Sequence, residues 1–487
     1  MWLGLDLGTQ SLKAVICDDG MTPRGHGAVT YPIAYPRPAW AEQDPAHWLA
    51  ALAPAIARAL GGAKLPPTAI RGIGVSGQLD GCVPTDLDNH ALGPCLPWLD
   101  RRAADALPSL AAHACLAPDT FASITGQILD ASHMAAKIRW LDRERPGAAR
   151  FHQPVSFLVA QLTGRAVLDP AQASTTMLWD LAARSFSPAL LSAFAIDPAR
   201  LPAIERADAI AGVLTARGAT LTGLPAGIPV AVGTGDDFAT PLGAGIATPG
   251  AVIDVLGTAE VVGALSPALT IDRTHSPLVE THAYPAPGYF VEHPGWLAGG
   301  ALTWLGELLA EADPAALDAL AAPIAPGADE LSFLPALTGA MTPAWHAGAR
   351  GAFYGLTPAH GRGHLVRAVL EACAFGARDV IERLDALGVA TDHVILAGGG
   401  SRSRLWAQLR ADVTGRVHHI AAHRDTCAIG AAMLAAVAAG AIPDLLTAAQ
   451  LAPPPIEIVH PDPSAAAACA AAHGRYRRLF DALRPLF

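Results

Sequence analysis

The sequence predicts an α/β protein built as two related domains, and three observations point there. Strand-like and helix-like stretches alternate along all 487 residues, the pattern of sheets covered by helices. A hairpin-like stretch near the start, LGLDLGTQSLKAVI from Leu3, returns as AVIDVLGTAEVVGAL from Ala251. The composition is 52% hydrophobic and only 16% charged, so most of the chain should pack rather than trail as disordered tails. At roughly 100–200 residues per domain, the length suits two or three domains.

Taken in order, WLGLDLG and KAVICDDG read as two strands joined by a turn. AHWLAALAPAIARAL has helical spacing of apolar residues, and IRGIGVSG is a short buried strand after it. The alternation returns with IPVAVGTG, AVIDVLGT, LVRAVLEACAFGARDVIERLDALG and HVILAGGG. CAIGAAMLAAVAAGAI, from Cys427 to Ile442, is mostly alanine and glycine. It falls short of the ~20 residues a membrane span needs, so a buried helix is expected there. The two hairpins sit near the starts of two halves, each with an aspartate on its first strand and Gly-Thr in its turn. The boundary is expected at the Pro/Gly-rich TGLPAGIP, giving domains 1–227 and 228–487, with the last helix packing back on the first domain. Ligands in such proteins bind at sheet ends between lobes, so the site is expected in a cleft between the domains.

The net charge is −10 and no basic run occurs, so nucleic acid is not the expected partner. An anionic substrate would need local positive groups; Lys13, Lys64 and Lys137 are the only lysines. Seven dispersed cysteines show no CxxC pair or zinc-like spacing, which reads as reduced thiols in a cytoplasmic protein. The start MWLGLDLGTQ lacks the basic region of a signal peptide, and no membrane partner is expected. Homodimerisation is left open.

Four motifs could carry chemistry. DLGTQSLK gathers Asp6, Gly8, Thr9, Gln10, Ser11 and Lys13: glycine lets backbone N–H groups approach phosphate, the hydroxyls add donors, and Asp6 could hold Mg²⁺. An ordinary hairpin with polar turn residues fits the same string. ILAGGGSRSRLWAQLRADVTG sets Gly399, Gly400 and Ser401 between a strand and a helix, a turn that admits a ring or phosphate. GVSGQLDGCV puts Gln78, Leu79 and Asp80 just past a strand, where they could bond polyol hydroxyls or simply build an Asp-Gly turn. GTGDDFATPLG places Asp236 and Asp237 at a strand end. A carboxylate there could take the proton of a hydroxyl attacking phosphorus, with Asp236 in the cleft and Asp237 supporting the helix start. Helix capping, with Thr240-Pro241 as a further cap, is the alternative.

These pieces, in this order and over nearly the whole length, resemble the FGGY carbohydrate kinases. GLDLGTQSLK is similar to the family's first phosphate hairpin, and WAEQDPAHW, PWLDRR, FLPALTGAMTP and GAFYGLTPAHGRGHLVRAVLEACAF to further family segments. The resemblance implies the actin/hexokinase-type fold of two ribonuclease-H-like domains, with ATP and Mg²⁺ as cofactors. It puts the catalytic base on Asp236, a metal role on Asp6, and phosphate contacts on the Gly8–Thr9 and Gly257–Thr258 turns. Adenosine would border Gly399, Gly400 and Ser401, and the sugar Gln78, Leu79, Asp80 and Asp236. The implied reaction is phosphorylation of a terminal hydroxyl of a ketopentose, D-xylulose to D-xylulose 5-phosphate. The alternatives are another ketose or polyol such as ribulose or erythritol, or a non-catalytic actin-type nucleotide-binding protein. Three departures stand out: Asp80 where the family branch has histidine, Ala340-Met341 for Glu-Arg, and Ala259-Glu260 for Ser-Gly.

Overall fold

The computed structural model describes residues 1–110, 113–274 and 276–487. The chain divides into two compact units. The first holds residues 1–247, 281–289 and 425–453, and the second holds 248–280, 290–424 and 454–487.

The first unit is built on a seven-stranded sheet. Its strands are β1 (Trp2–Leu7), β2 (Ser11–Cys17), β3 (Pro23–Thr30), β4 (Gly72–Gly77), β5 (Ile210–Val213), β6 (Pro229–Ala231) and β7 (Thr234–Gly235). They lie in the order β5-β6-β4-β1-β2-β3, with β7 also on β4. β1 and β2 form the expected hairpin, and β4 runs parallel to β1. Alternation along β1 sends Leu3, Leu5 and Leu7 into a core with Trp48, Leu52 and Ile56 of helix α1 (Pro45–Ala63). α1 starts where the sequence signals it. Asp44 accepts a hydrogen bond from the Ala46 N–H at 2.9 Å and Pro45 follows in the first turn. Helices α2 (Met134–Glu144) and α3 (Pro154–Thr163) also belong to this unit.

IPVAVGTG is not one strand. The chain breaks between β6 and β7 at Gly233, whose φ is +81° and where a Cβ would lie 2.1 Å from the Val75 carbonyl oxygen. β7 then rejoins β4 in parallel, Thr234 beside Ser76 and Gly235 beside Gly77. Because β6 and β7 both pair with β4, the first unit continues through Ala247 instead of ending at residue 227, and Asp236 belongs to it. It opens helix α4 (Asp236–Gly243).

The second unit repeats the hairpin with β8 (Gly250–Leu256) and β9 (Ala259–Ser266), followed by β10 (Tyr289–Leu297), β11 (Thr391–Ala397), β12 (His418–Ile420) and β13 (Glu457–Val459). Their order is β10-β9-β8-β11-β12-β13. As in the first unit, the hairpin's first strand has a parallel neighbour, here β11, and a second parallel strand beyond it, here β12. Each unit therefore carries the ribonuclease-H-like order, and the repeat read from the Gly-Thr turns is a repeat of topology. The edges differ: β5 precedes its partner in the chain, and β13 follows its own.

Helices α5 (Arg362–Ala386), α6 (Arg404–Thr414) and α8 (Ala466–Leu483) pack in the second unit, joining Leu370, Phe375, Trp406, Tyr476 and Phe480 in one core. The last helix thus stays with the second unit. The segment that returns to the first is α7 (Thr426–Ala438), the alanine-rich stretch expected to be a buried helix. Among the described residues no helix is long and apolar enough to cross a membrane.

Candidate active site

The first unit gathers its acidic residues at the ends of neighbouring strands. Asp6 is the penultimate residue of β1 and is 5% exposed. It pairs in the ladder with Ser76 of β4, whose next neighbour is Thr234 of β7. Asp236 comes two residues after Thr234. Burial, then Asp237, then Asp6 push the Asp236 carboxyl well above the usual carboxylate range. Burial and the Asp80 carboxylate push Asp237 up to about 7. Neither aspartate caps the helix with its side chain: Gly235 is the cap residue, and Pro241 sits inside the helix, so the Thr240-Pro241 cap does not form. The doublet occupies the first helical turn, where the helix dipole favours negative charge.

The hairpin turn after β1 is tightly tied. The Gly8 N–H donates to the Ser11 carbonyl at 3.0 Å, and the Tyr31 hydroxyl donates to the Gly8 carbonyl at 2.5 Å. Gly8 is therefore a turn former with its N–H engaged, and the N–H groups of Thr9 and Gln10 have no hydrogen bond to protein among the described residues. Trp98 Nε1 donates to the Thr9 hydroxyl at 3.0 Å. Lys13 Nζ lies 3.4 Å from Asp6 and 3.5 Å from Asp425, and Asp6 holds it above the usual lysine range.

Gln78, Leu79 and Asp80 follow β4 directly. Leu79 lies against Gly235, where a Cβ would come 2.2 Å from Leu79 Cδ2, so this loop adjoins the start of the Asp236 helix. Asp80 takes a left-handed backbone, φ 57°. Two groups from the α2 region hold it. Lys137 Nζ donates to the Asp80 carbonyl at 2.7 Å, and His133 Nδ1 stands 3.1 Å from Asp80 Oδ2. Lys137 is fully buried, and that burial lowers its pKa.

The second unit has two glycine turns of its own. Gly257 and Thr258 join β8 to β9, with the Gly257 N–H bonded to the Ala259 carbonyl at 3.0 Å. The Gly299 and Gly300 N–H groups donate to the Gly257 and Thr258 carbonyls at 3.1 and 3.0 Å, while Thr258 is exposed. The second turn follows β11. Gly398 has φ +84° and packs on Leu256, Gly399 is exposed, and the Ser401 hydroxyl donates to the Gly398 carbonyl at 2.8 Å.

Glu260, one of the departures, points into the core. Arg410 of α6 donates to Glu260 Oε1 and Oε2, both at 2.6 Å, and to Asp254 Oδ2 at 2.7 Å. Arg410 and Glu260 are both 0% exposed. Burial pushes Glu260 up to about 8, against the pull of Arg410. The triad ties the β8–β9 hairpin to the helix that follows the glycine turn. In the other departure, the Met341 carbonyl lies 3.2 Å from His293 Nε2.

Sequence reasoning passed over Gln43, His133, Lys137, Asp425 and Arg410. Lys137 was detectable as one of only three lysines in an otherwise arginine-based chain. Gln43 lies inside WAEQDPAHW, but its role depends on partners far away in the chain.

Two ribonuclease-H-like units, with carboxylates at the strand ends of one and glycine turns in the other, make the actin/hexokinase-type class of fold. The family model for the FGGY carbohydrate kinases matches in two parts, its N-terminal domain over residues 1–243 and its C-terminal domain over 253–439. The chain belongs to the FGGY family of carbohydrate kinases. It is 31% identical to a xylulose kinase of Escherichia coli K12 over 100% of both chains. It is 34% identical to a glycerol kinase of Gloeobacter violaceus over 90% of this chain and 88% of that one. The crystal structure of xylulose kinase from Rhodospirillum rubrum superposes with TM-score 0.88 at 32% identity, covering 100% of this chain and 99% of that one.

Proposed function

We propose that this protein transfers the γ-phosphoryl group of ATP to a terminal hydroxyl of a ketopentose, D-xylulose, giving D-xylulose 5-phosphate. The observation that carries the reading is Asp236, a carboxylate at the end of a parallel strand whose proton affinity is raised by burial and by Asp237 and Asp6. A base of that kind can orient the acceptor hydroxyl and remove its proton as the oxygen attacks phosphorus. The full-length relatedness to xylulose kinases supports the acceptor.

Each other residue has a proposed part. Asp6 offers a carboxylate oxygen, the ligand type a hard cation takes, at the strand ends where its ladder partner Ser76 is followed by Thr234 and then Asp236. Asp6 would hold Mg²⁺, which supplies charge neutralisation to the phosphates. The free N–H groups of Thr9 and Gln10, the Ser11 hydroxyl and Lys13 would meet phosphate oxygens, as would the Gly257–Thr258 turn. The exposed Gly399, with Gly400 and Ser401, would border the adenosine. Gln78, Leu79 and Asp80 would line the sugar position. Free cysteines at all seven positions suit a cytoplasmic location.

A small polyol as acceptor is the second reading, favoured by the glycerol kinase relative at 34% identity. A coupled ADP-release assay over D-xylulose, ribulose, erythritol and glycerol separates the two. In the same assay Asp236→Ala should lose about 10²–10⁴-fold in turnover while ADP binding stays near normal. Near-normal turnover in Asp236→Ala, or loss only in Asp237→Ala, would remove Asp236 from the chemistry.

A further inference from the structure

Two glutamines link the first phosphate turn to the sugar loop, and they do so with a fixed polarity. Gln43 Nε2 donates to the Thr9 carbonyl at 2.5 Å. A carbonyl can only accept, so the amide nitrogen of Gln43 must face Thr9 and its oxygen must face the other way. That oxygen, Oε1, receives Gln78 Nε2 at 2.7 Å. The Gln78 amide is thereby fixed in turn, and its own Oε1 is left buried without a partner among the described residues. Both glutamines are 1% exposed, so water does not relax this order.

Asp80 repeats the arrangement two residues on. Its Oδ2 is engaged by His133, while Oδ1 is buried with no partner among the described residues. The left-handed backbone, pinned by Lys137 at the Asp80 carbonyl, fixes where the carboxylate stands. The loop therefore holds two acceptor oxygens, each denied a protein donor and each unable to turn into a donor. Buried acceptors of this kind are costly unless a ligand satisfies them.

We infer that Gln78 Oε1, aligned through Gln43, and Asp80 Oδ1, held through His133 and Lys137, are specificity-determining acceptors that select a neutral polyhydroxy chain by its hydroxyl donors and reject sugar acids. This rests on the reading of the 78–80 loop as the sugar position. A ketopentose meets the pair with two chain hydroxyls and turns its carbonyl away. The matching alditol does so equally well, because no donor here reads a carbonyl. A carboxylate in the same place opposes acceptor to acceptor and charge to charge.

The test is a matched series, D-xylulose, xylitol and D-xylonate, titrated calorimetrically into nucleotide-free protein and then compared by kcat/KM. In the parent, xylitol should bind within about tenfold of D-xylulose, and D-xylonate at least about tenfold more weakly than either, the factor that one opposed buried polar pair supplies. Gln43→Met leaves the Gln78 amide free to turn and present its NH₂. Asp80→Asn replaces one obligate acceptor by a group that can donate. Each should raise the affinity for D-xylonate relative to xylitol about tenfold. Should Gln43→Met fail to fold, Asp80→Asn gives the same readout from the other oxygen. Rejection of xylitol by 100-fold relative to D-xylulose overturns the inference, because the carbonyl would then be read. Unchanged discrimination against D-xylonate in the folded variants overturns it too. Binding in the expected order by a protein that transfers no phosphoryl group would sink the kinase reading and leave this inference standing.

Discussion

Removing Arg410 should destabilise the second unit far more than its surroundings suggest. The Arg410 side chain has 0% exposure, and it faces two buried carboxylates through three hydrogen bonds of 2.6 to 2.7 Å. Asp254 and Glu260 project from the same face of the β8–β9 hairpin, since Glu260 pairs with Leu256 and Asp254 lies two residues back. Arg410→Met keeps the volume and the contact with Trp406, whose ring lies 5.2 Å from the guanidinium. It leaves Asp254 and Glu260 buried with no cation, Glu260 keeping its proton below about 8. Breaking a buried pair in this way costs about 3–5 kcal/mol. For a domain of roughly 150–250 residues each kcal/mol moves Tm by about 2–4 °C, so the transition containing the second unit should fall by about 6–20 °C.

Glu260→Gln should behave differently, and the sign follows from the proton. Burial holds the native Glu260 carboxyl up to about 8, from an ordinary value of 4.5. Between those values the native state keeps a proton that the unfolded chain has released, so stability falls as pH rises through that window. Glu260→Gln cannot lose a proton there. Its melting temperature should meet the parent's near pH 5 and exceed it near pH 8.5. Calorimetric melts of the parent and both variants at those two pH values decide the matter. A triple variant, Asp254→Leu with Glu260→Leu and Arg410→Met, should recover most of the loss if unpaired charge is its cause. An Arg410→Met melt within about 1 kcal/mol of the parent, or a parent-like pH slope in Glu260→Gln, refutes the reasoning.

Asp6→Ala should weaken Mg²⁺-dependent turnover far more than metal-free ADP binding; an unchanged half-saturation and turnover in a magnesium titration would take Asp6 out of the site. Lys137→Met removes the donor to the Asp80 and Ser132 carbonyls and should raise the acceptor KM with the ATP KM unchanged, since two buried acceptors lose about 1–3 kcal/mol each. Equal acceptor KM values in a folded variant would show that the loop holds its shape without Lys137.

Local pattern made the hairpins, α1, β4 and the helix at Thr426 legible, because alternation, capping and apolar spacing are written within a dozen residues. What escaped depends on partners far along the chain. The break at Gly233 is needed only because Val75 passes behind it, and it is this break that sends β7 back to β4 and moves Asp236 into the first unit. Glu260 read as a departure near phosphate; its partner, Arg410, is 150 residues away. Gln43 is plain within WAEQDPAHW, yet its meaning comes from Thr9 and Gln78, on either side of it in the chain. The Asp236–Asp237 doublet was readable as a strand-end feature, but Pro241 suggested a helix start that the chain places at Asp236 instead.

The composition of α7 brings its start to the strand ends of the first unit. A Cβ on Gly4 would lie 1.8 Å from the Ala428 carbonyl oxygen, and one on Gly74 would lie 1.8 Å from that of Ala431. The helix backbone therefore rests directly on β1 and β4, with no side chain between, which explains why it is written in alanine and why hydropathy alone misreads it. That approach carries the start of α7 to the strand ends. Cys427 Sγ reaches Ser76 Oγ at 3.1 Å, and Asp425 reaches Lys13. Burial first, then Asp6 and Asp236, pushes the Cys427 thiol far up, so the helix start lies beside both carboxylates. Asp6 is 5% exposed there, and burial is the largest cause of the raised Asp236. Small residues at positions 4, 74, 428 and 431 thus let the start of this helix reach the strand ends that carry Asp6 and Ser76.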